Sequence, residues 1–74
     1  MGYIQRIKDL RNSQKLSQLD ICHVLGVKQR TYSDYESGRI RMKVEQVIAL
    51  ARYYDVSMDY ICGATDIQTK YPEF

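Results

Sequence analysis

The sequence predicts an all-α domain with five helices. Apolar residues recur at every third or fourth position along most of the chain, which is the spacing of one face of a helix. No segment of useful length alternates apolar and polar residues as a half-buried strand would. Glycines and capping residues fall between the apolar runs, where helices end and begin.

The first two helices have clear boundaries. Isoleucine and leucine at every third position place the first helix over residues 3–12. Ser17, followed three residues later by Asp20, predicts a capping box at the start of a second helix that covers about residues 17–25. We expect Gly26 to end that helix, because glycine accepts a left-handed backbone without a steric penalty.

Three more helices and a tail follow. The third helix covers about residues 28–37, and the fourth about residues 43–54. Ser57 caps a short fifth helix that ends at Gly63. The predicted apolar face of the fourth helix consists of Val44, Val47, Ile48, Ala51 and Tyr54. Residues 64–74 show no period and form a tail.

Length and composition limit the class of protein. The 74 residues, 45% apolar and 27% charged, suit one folded domain, here residues 1–63. No apolar run approaches the roughly 20 residues of a membrane helix, and charges interrupt the N-terminal segment as they do not in a signal peptide. We therefore expect a soluble, cytoplasmic protein with no membrane partner.

The cysteines and the histidine offer no reactive site. Cys22 and Cys62 lie far apart without a CxxC pattern or a Cys/His cluster, so neither a disulfide framework nor a metal site is expected. Both thiols are predicted on apolar helix faces, where a free cysteine behaves as a small hydrophobe. His23 is expected on the solvent side of its helix. No cofactor is expected.

Charge is unevenly distributed within a net charge of only +2. Residues 28–43 contain five basic and two acidic side chains, whereas residues 44–74 contain two basic and five acidic ones. A basic region of this kind suits a polyanion, although charge alone fits an ordinary solvated surface equally well.

Two short helices joined by a glycine turn, the second basic at its start, fit a helix-turn-helix. Further short motifs are Leu16-Ser17-Gln18, Leu25-Gly26-Val27, Tyr35-Glu36-Ser37-Gly38, Leu50-Ala51, and Val56-Ser57 followed by Asp59. With these motifs the chain resembles the Cro and phage-repressor type of regulator, the XRE family, over residues 4–63. The resemblance implies a lambda-repressor-like DNA-binding domain of five helices.

Helical geometry separates two faces of the third helix. At about 100° per residue, one arc of roughly 140° contains Gln29, Arg30, Ser33 and Asp34. Tyr32 and Tyr35 lie on another side, where core packing is favoured over base stacking because duplex DNA offers no unstacked base. The hydroxyl of Tyr32 then needs a polar partner or the solvent edge.

The first arc has the chemistry to read bases. Arg30 can donate a pair of hydrogen bonds to guanine, Gln29 can pair with adenine, and Asp34 can accept from a cytosine amino group. By resemblance these residues, with Ser33 and with Lys28 at the helix start, are the base contacts. The alternative is that one or more are simply exposed polar residues.

Phosphate contacts are expected outside the reading face. Gln18 opens the second helix, where free N–H groups and the helix dipole favour a phosphate, and the resemblance implies this contact. The loop beyond the reading helix adds Arg39, Arg41 and Lys43 as phosphate ligands. The resemblance also implies that Arg11 pairs with Glu36 in a structural role.

The chain departs from the family pattern at three places. Lys28 replaces the usual serine or threonine cap of the reading helix, and Met42-Lys43 replace a proline and a small capping residue before the fourth helix. Both helix starts are therefore expected to be poorly capped. Leu19 stands at a usually polar position and, with Ile40 and Met42, leaves apolar groups expected at the surface.

The resulting hypothesis is a sequence-specific DNA-binding transcriptional regulator. We expect a repressor that binds a two-fold symmetric operator as a homodimer, with helix 28–37 in the major groove of double-stranded DNA. The alternative is an antitoxin or another protein-interaction module, whose partner is a toxin or a protein antagonist. The tail contains the apolar residues Ile67, Tyr71 and Phe74, so it is a candidate contact for the dimer or for a partner protein. A disordered end is an equally good interpretation. No enzyme is expected, because no nucleophile–base pair, metal set or phosphate-binding glycine loop is present.

Overall fold

A computed structural model describes residues 2–72 and contains the five predicted helices. In chain order they are α1 (Tyr3–Ser13), α2 (Gln18–Leu25), α3 (Gln29–Glu36), α4 (Val44–Tyr54) and α5 (Met58–Ile61). No strand occurs among the described residues. The all-α prediction is confirmed, and the predicted helix bounds differ from the observed ones by no more than a residue or two at most ends.

The core is a single cluster to which every helix contributes. Ile7, Ile21, Tyr32, Leu50 and Ile61 come from α1 to α5 in order, and each has at most 1% of its surface exposed. Tyr35 lies beside Tyr32 in an edge-to-face arrangement, with ring centroids 6.4 Å apart. Both tyrosines of the third helix therefore pack inward, as predicted.

The two ends of α2 follow the sequence signals. The Ser17 hydroxyl accepts a hydrogen bond from the Asp20 N–H at 3.1 Å, and the Asp20 carboxylate accepts one from the Ser17 N–H at 2.9 Å, which completes the capping box. At the other end Gly26 has φ +67°, a left-handed conformation that lets the Val27 N–H reach the Cys22 carbonyl at 3.1 Å.

The starts of α3 and α4 differ more than expected. Lys28 occupies the N-cap position of α3, and its side chain makes no capping hydrogen bond. Before α4, however, the Gln46 side chain reaches back and accepts a hydrogen bond from the Lys43 N–H at 3.0 Å. The expectation of a poorly capped α4 was therefore wrong in part, because a glutamine in the first turn supplies the acceptor that residue 43 lacks.

The predicted apolar faces need two corrections. Val44 is 61% exposed, whereas Leu50, which was not assigned to the face, is fully buried, so the buried stripe of α4 is rotated from the prediction. Cys62 is exposed although Cys22 is buried, because Cys62 lies after the end of α5 rather than on its inner face. His23 is exposed as predicted.

Residues 64–72 run back along the helical body. The Ser57 N–H donates to the Thr69 carbonyl at 2.8 Å, and the Tyr71 N–H donates to the Asp55 carboxylate at 3.3 Å. The Tyr71 ring also packs against the core, and the Arg52 guanidinium lies 5.4 Å from its centroid. Tyr71 therefore packs within the domain itself, whereas Ile67 is 70% exposed. Phe74 lies outside the described residues.

Within residues 2–72, no helix is both long enough and apolar enough to cross a lipid bilayer.

Candidate nucleic-acid interface

Helices α2 and α3 form the core of the candidate interface. The left-handed turn at Gly26 lets α3 start immediately after α2, and Tyr32, Tyr35 and Glu36 fix one side of α3 to the rest of the molecule. The opposite side presents Gln29, Arg30 and Ser33 to solvent, with Lys28 exposed at the helix start. One face of α3 is thus held rigidly while the other is free to meet a ligand.

Arg11 and Glu36 lock the first helix to the third. The Arg11 guanidinium donates from Nε to Glu36 Oε2 at 2.7 Å and from Nη2 to Oε1 at 2.9 Å, a two-pronged contact. Its Nη1 donates to the Leu16 carbonyl at 2.8 Å. Only 14% of the Arg11 side chain and 6% of the Glu36 side chain are exposed, so the pair is largely shielded from water.

The ion pair keeps Glu36 ionised. Burial by itself would raise the pKa of the Glu36 carboxyl, but the hydrogen bonds and charge of Arg11, together with the neighbouring Tyr32 hydroxyl and Gln18 amide, outweigh burial and hold that pKa below its ordinary value. The buried Tyr32 hydroxyl lies beside the carboxylate but outside ordinary hydrogen-bond geometry. It therefore finds a charged neighbour rather than the solvent edge, and burial raises the pKa of the Tyr32 phenol.

Gln18 stands at the start of α2 and is tied to the same carboxylate. Its Nε2 donates to Glu36 Oε1 at 3.2 Å, and the side chain is half-buried. Because an ionised carboxylate can only accept, this contact orients the amide nitrogen toward Glu36 and leaves one N–H free. The free N–H and the backbone N–H groups of the first turn of α2 can both meet an anion.

Asp34 lies at the edge of the exposed face and is largely shielded. Its side chain is 20% exposed, and one carboxylate oxygen lies 3.9 Å from Nε of Arg39, at the outer limit of an ion pair. Its carbonyl accepts hydrogen bonds from the N–H groups of Arg39 and Ile40 at 2.9 and 3.3 Å, so the chain folds back over the end of α3. This brings a basic side chain next to the one acidic group on that face.

The loop that follows α3 is basic and exposed. Arg39, Arg41 and Lys43 all have exposed side chains, and Ile40 between them is 45% exposed. Arg41 also borders an open groove of about 260 Å³ that Tyr3, Met42 and Val47 help to line. Met42 is half-buried and packs against the core, so its predicted exposure was wrong, whereas Leu19 and Ile40 are exposed as expected.

Sequence reasoning missed a buried arginine. Arg6 is only 4% exposed and lies over the Tyr60 ring, with its guanidinium carbon 4.0 Å from the ring centroid. It also pairs with Asp66 at 2.8 Å, which joins α1 to the segment after α5. The helical spacing could have indicated this burial, because Arg6 precedes Leu10 by four residues and so shares the inward face of α1. The charge of Arg6 is therefore not one of the exposed positive charges.

These features define the class of protein. The motif consists of the capped helix α2, the left-handed turn at Gly26, and the helix α3, which has one buried face and one exposed, polar face. This is the arrangement of a helix-turn-helix domain. The family model described as helix-turn-helix matches residues 7–61, and the chain belongs to this family of XRE-type regulators.

Several known proteins are similar to the chain. An HTH-type transcriptional regulator of Bacillus subtilis, YobD, is 38% identical over 64 residues, which cover 86% of this chain and 57% of that protein. The Vibrio cholerae cryptic phage CTXphi transcriptional repressor RstR is 37% identical, over 73% of this chain and 49% of its own. The chain thus spans about half the length of the curated relatives it matches.

A solved structure agrees with the fold. The crystal structure of a transcriptional regulator from Listeria innocua superposes with a TM-score of 0.80 at 26% identity, over 97% of this chain and 65% of the other. The predicted five-helix fold is therefore confirmed. The prediction that the chain is not an enzyme agrees with its membership of a family of regulators.

Proposed function

We propose that the protein is a DNA-binding transcriptional regulator that reads sequence with α3. The observation that carries the proposal is the division of α3 into a face locked by Tyr32, Tyr35 and Glu36 and a face that exposes Gln29 and Arg30. An α-helix fits the major groove of duplex DNA, and these two side chains match the hydrogen-bonding edges of adenine and guanine. Because DNA is the ligand, we expect the protein to work in the cytoplasm.

The reading residues differ in what they contribute. Arg30 and Gln29 are exposed and free to form paired hydrogen bonds with bases, and Ser33 and Lys28 lie beside them. Asp34 is a weaker candidate, since its carboxylate is shielded and faces Arg39. We therefore assign base reading mainly to Gln29 and Arg30.

Phosphate contacts flank this face on two sides. Gln18 is held at the N-terminus of α2, where the dipole and free N–H groups favour an anion. Arg39, Arg41 and Lys43 follow α3 in an exposed loop. Contacts of this kind position the domain on the duplex and make its affinity strongly dependent on salt.

We further propose that two copies act together on a two-fold symmetric operator as a repressor. A helix of eight residues is only about 12 Å long, so one α3 reaches few base pairs and a second copy is needed for specificity. The relative RstR is a transcriptional repressor, which supports the same direction of control. The exposed Ile67 in the segment after α5 is a candidate for the dimer contact.

Selection of random duplexes by the purified protein, followed by affinity measurements at several salt concentrations, tests the proposal. We expect an enriched motif with two-fold symmetry and a steep fall of affinity with salt. Arg30→Ala is expected to cost about 1–3 kcal/mol at one base position, whereas Arg41→Ala weakens all sequences alike. Absence of an enriched motif, or an affinity that barely changes with salt, contradicts DNA reading.

A second candidate is a protein-interaction module that binds a toxin or an antagonist protein. It is favoured by the exposed apolar side chains of Leu19 and Ile40, which are 47% and 45% exposed. Leu19→Lys and Ile40→Lys separate the two functions. A DNA reader keeps its sequence preference in both variants, whereas an interaction module loses its protein partner and shows no DNA motif in either form.

A further inference from the structure

Glu36 does more than join two helices, because one of its oxygens is shared. Glu36 Oε1 accepts from Arg11 Nη2 at 2.9 Å and from Gln18 Nε2 at 3.2 Å, while Oε2 accepts from Arg11 Nε at 2.7 Å. The carboxylate thus links α1, α2 and α3 at a single point. The Gln18 side chain belongs to this cluster as much as to the surface.

The carboxylate is a rigid support for the glutamine. Arg11 is itself fixed by the Leu16 carbonyl at 2.8 Å, in the turn that precedes α2. With 6% of its side chain exposed, Glu36 has little contact with water that could compete for its oxygens. The orientation of the Glu36 carboxylate is therefore set by Arg11 on α1, which the turn before α2 holds in place.

This support selects one orientation of the Gln18 amide. The nitrogen must face Glu36, since a carboxylate accepts and does not donate. The second N–H is then the only donor that the side chain can offer to a phosphate. A free glutamine would populate many rotamers and would lose that freedom on binding.

We propose that Glu36, braced by Arg11, is a positioning residue that orients Gln18 before DNA arrives, so that the ion pair contributes to affinity without touching DNA. This inference rests on the proposed function. It assigns Glu36 an effect on binding that is transmitted through Gln18, beyond the part that Glu36 has in fixing α3. A purely structural ion pair has no such dependence.

The experiment is a double-mutant cycle in the full chain, read out as affinity for the selected duplex. Replacing both members of the pair, Arg11→Met with Glu36→Met, avoids leaving one buried charge unpaired and so preserves folding better than either single change. Far-UV circular dichroism shows whether each variant is folded under the binding conditions. Gln18→Met removes the phosphate donor, and Gln68→Met is its matched control at an exposed position.

We expect Gln18→Met alone to weaken binding about 3-fold to 10-fold, the effect of one lost hydrogen bond. The pair replacement alone should weaken binding at least about 3-fold, because the glutamine then loses its orientation. In the Gln18→Met background the same replacement should cost at least about 2-fold less affinity than it does in the wild type, whereas with Gln68→Met its full effect persists. An equal loss in both backgrounds, or no loss in either, overturns the inference.

The unaltered protein provides a second measurement if the pair replacement does not fold. Gln18 and Gln29 are each the first residue of a helix, but only Gln18 is bonded to Glu36. NMR relaxation of the two side-chain amides should show Gln18 to be clearly the more ordered, and equal mobility overturns the inference. If the wild-type protein binds no duplex, the proposed function fails as well; if it binds but the cycle is additive, only the positioning role fails.

Discussion

The stability of the domain should depend heavily on the Arg11–Glu36 pair, and Arg11→Met tests this directly. The substitution keeps a long side chain but leaves the Glu36 carboxylate, 6% exposed, without its cation. Removing one partner of a buried ion pair costs about 3–5 kcal/mol. Because Arg11 is 14% exposed and Gln18 still donates to the carboxylate, we expect the lower end, about 3 kcal/mol.

That loss is large for a chain of this size. Domains of 74 residues typically have roughly 4–11 kcal/mol of total stability, so the variant loses about a quarter or more of it. An unfolding entropy of about 2.1 cal/mol/K per residue converts 3 kcal/mol into a fall in Tm of roughly 20 °C. Urea denaturation followed by circular dichroism at pH 7 measures the difference in free energy of unfolding.

The pH dependence has a definite sign. In the wild type the pKa of Glu36 lies below its ordinary value, so its contribution is complete above about pH 4.5 and is lost as pH falls through the folded value. In Arg11→Met burial is no longer opposed by a cation, so the pKa of Glu36 rises and protonation relieves the unpaired charge. We therefore expect the difference between the two proteins to shrink between pH 7 and pH 4.

Arg30→Met is the matched control, because it makes the same chemical change at an exposed position of α3 and should alter stability by less than about 0.5 kcal/mol. A cost below about 1 kcal/mol for Arg11→Met at pH 7 refutes the reasoning. So does a cost that is the same at pH 4 as at pH 7.

Three further changes test other parts of the structure. Asp34→Ala should tighten binding to every duplex rather than relax one base position, because Arg39 is then free to meet a phosphate; filter binding on matched and scrambled duplexes measures this. Lys15→Gly should raise the free energy of unfolding by about 0.5–1 kcal/mol in urea denaturation, since Lys15 has φ +56°. In the native protein a thiol reagent should react quickly with the exposed Cys62 and slowly with the buried Cys22.

Each of these has a control and a contradicting result. For Asp34→Ala the control is Asp34→Asn in the Arg39→Ala background, where no Arg39 side chain remains to be released. If Asp34→Ala causes a loss of discrimination at a single base position, that result contradicts the prediction and supports cytosine reading. Lys15→Ala should not stabilise, because alanine retains the steric penalty of the left-handed region; stabilisation by both variants refutes the backbone argument. Denatured protein serves as the thiol control, in which both cysteines should react at similar rates.

Much of the fold could be predicted because its signals are local. The Ser17 capping box and the left-handed Gly26 depend only on neighbouring residues, and both occur as the sequence indicates. The rotation of α4 could not be predicted in the same way, since both Val44 and Leu50 are apolar and only packing decides that Val44 is 61% exposed. Gln46 completed the cap of α4 because its side chain is long enough to reach the Lys43 N–H.

The site was predicted less completely, because its decisive contacts join distant parts of the chain. The exposed positions of α3 follow from helical spacing, but the contact of Gln18 with Glu36 depends on how α2 meets α3. The contact of Arg6 with Asp66 likewise depends on where the segment after α5 lies. A hydrogen-bonding glutamine and a charged arginine look the same in sequence whether they are free or held. Only the tertiary arrangement separates the residues that face solvent from those that brace them.

The acidic residues of α3 show how local sequence and tertiary contacts combine. By composition alone, a helix with Lys28 and Arg30 at its start and two carboxylates further on is poorly suited to a phosphate-lined groove. Glu36 is turned inward and neutralised by Arg11, and Asp34 lies shielded beside Arg39. Since neither carboxylate projects freely from the exposed face, the basic residues set the electrostatic field at that face.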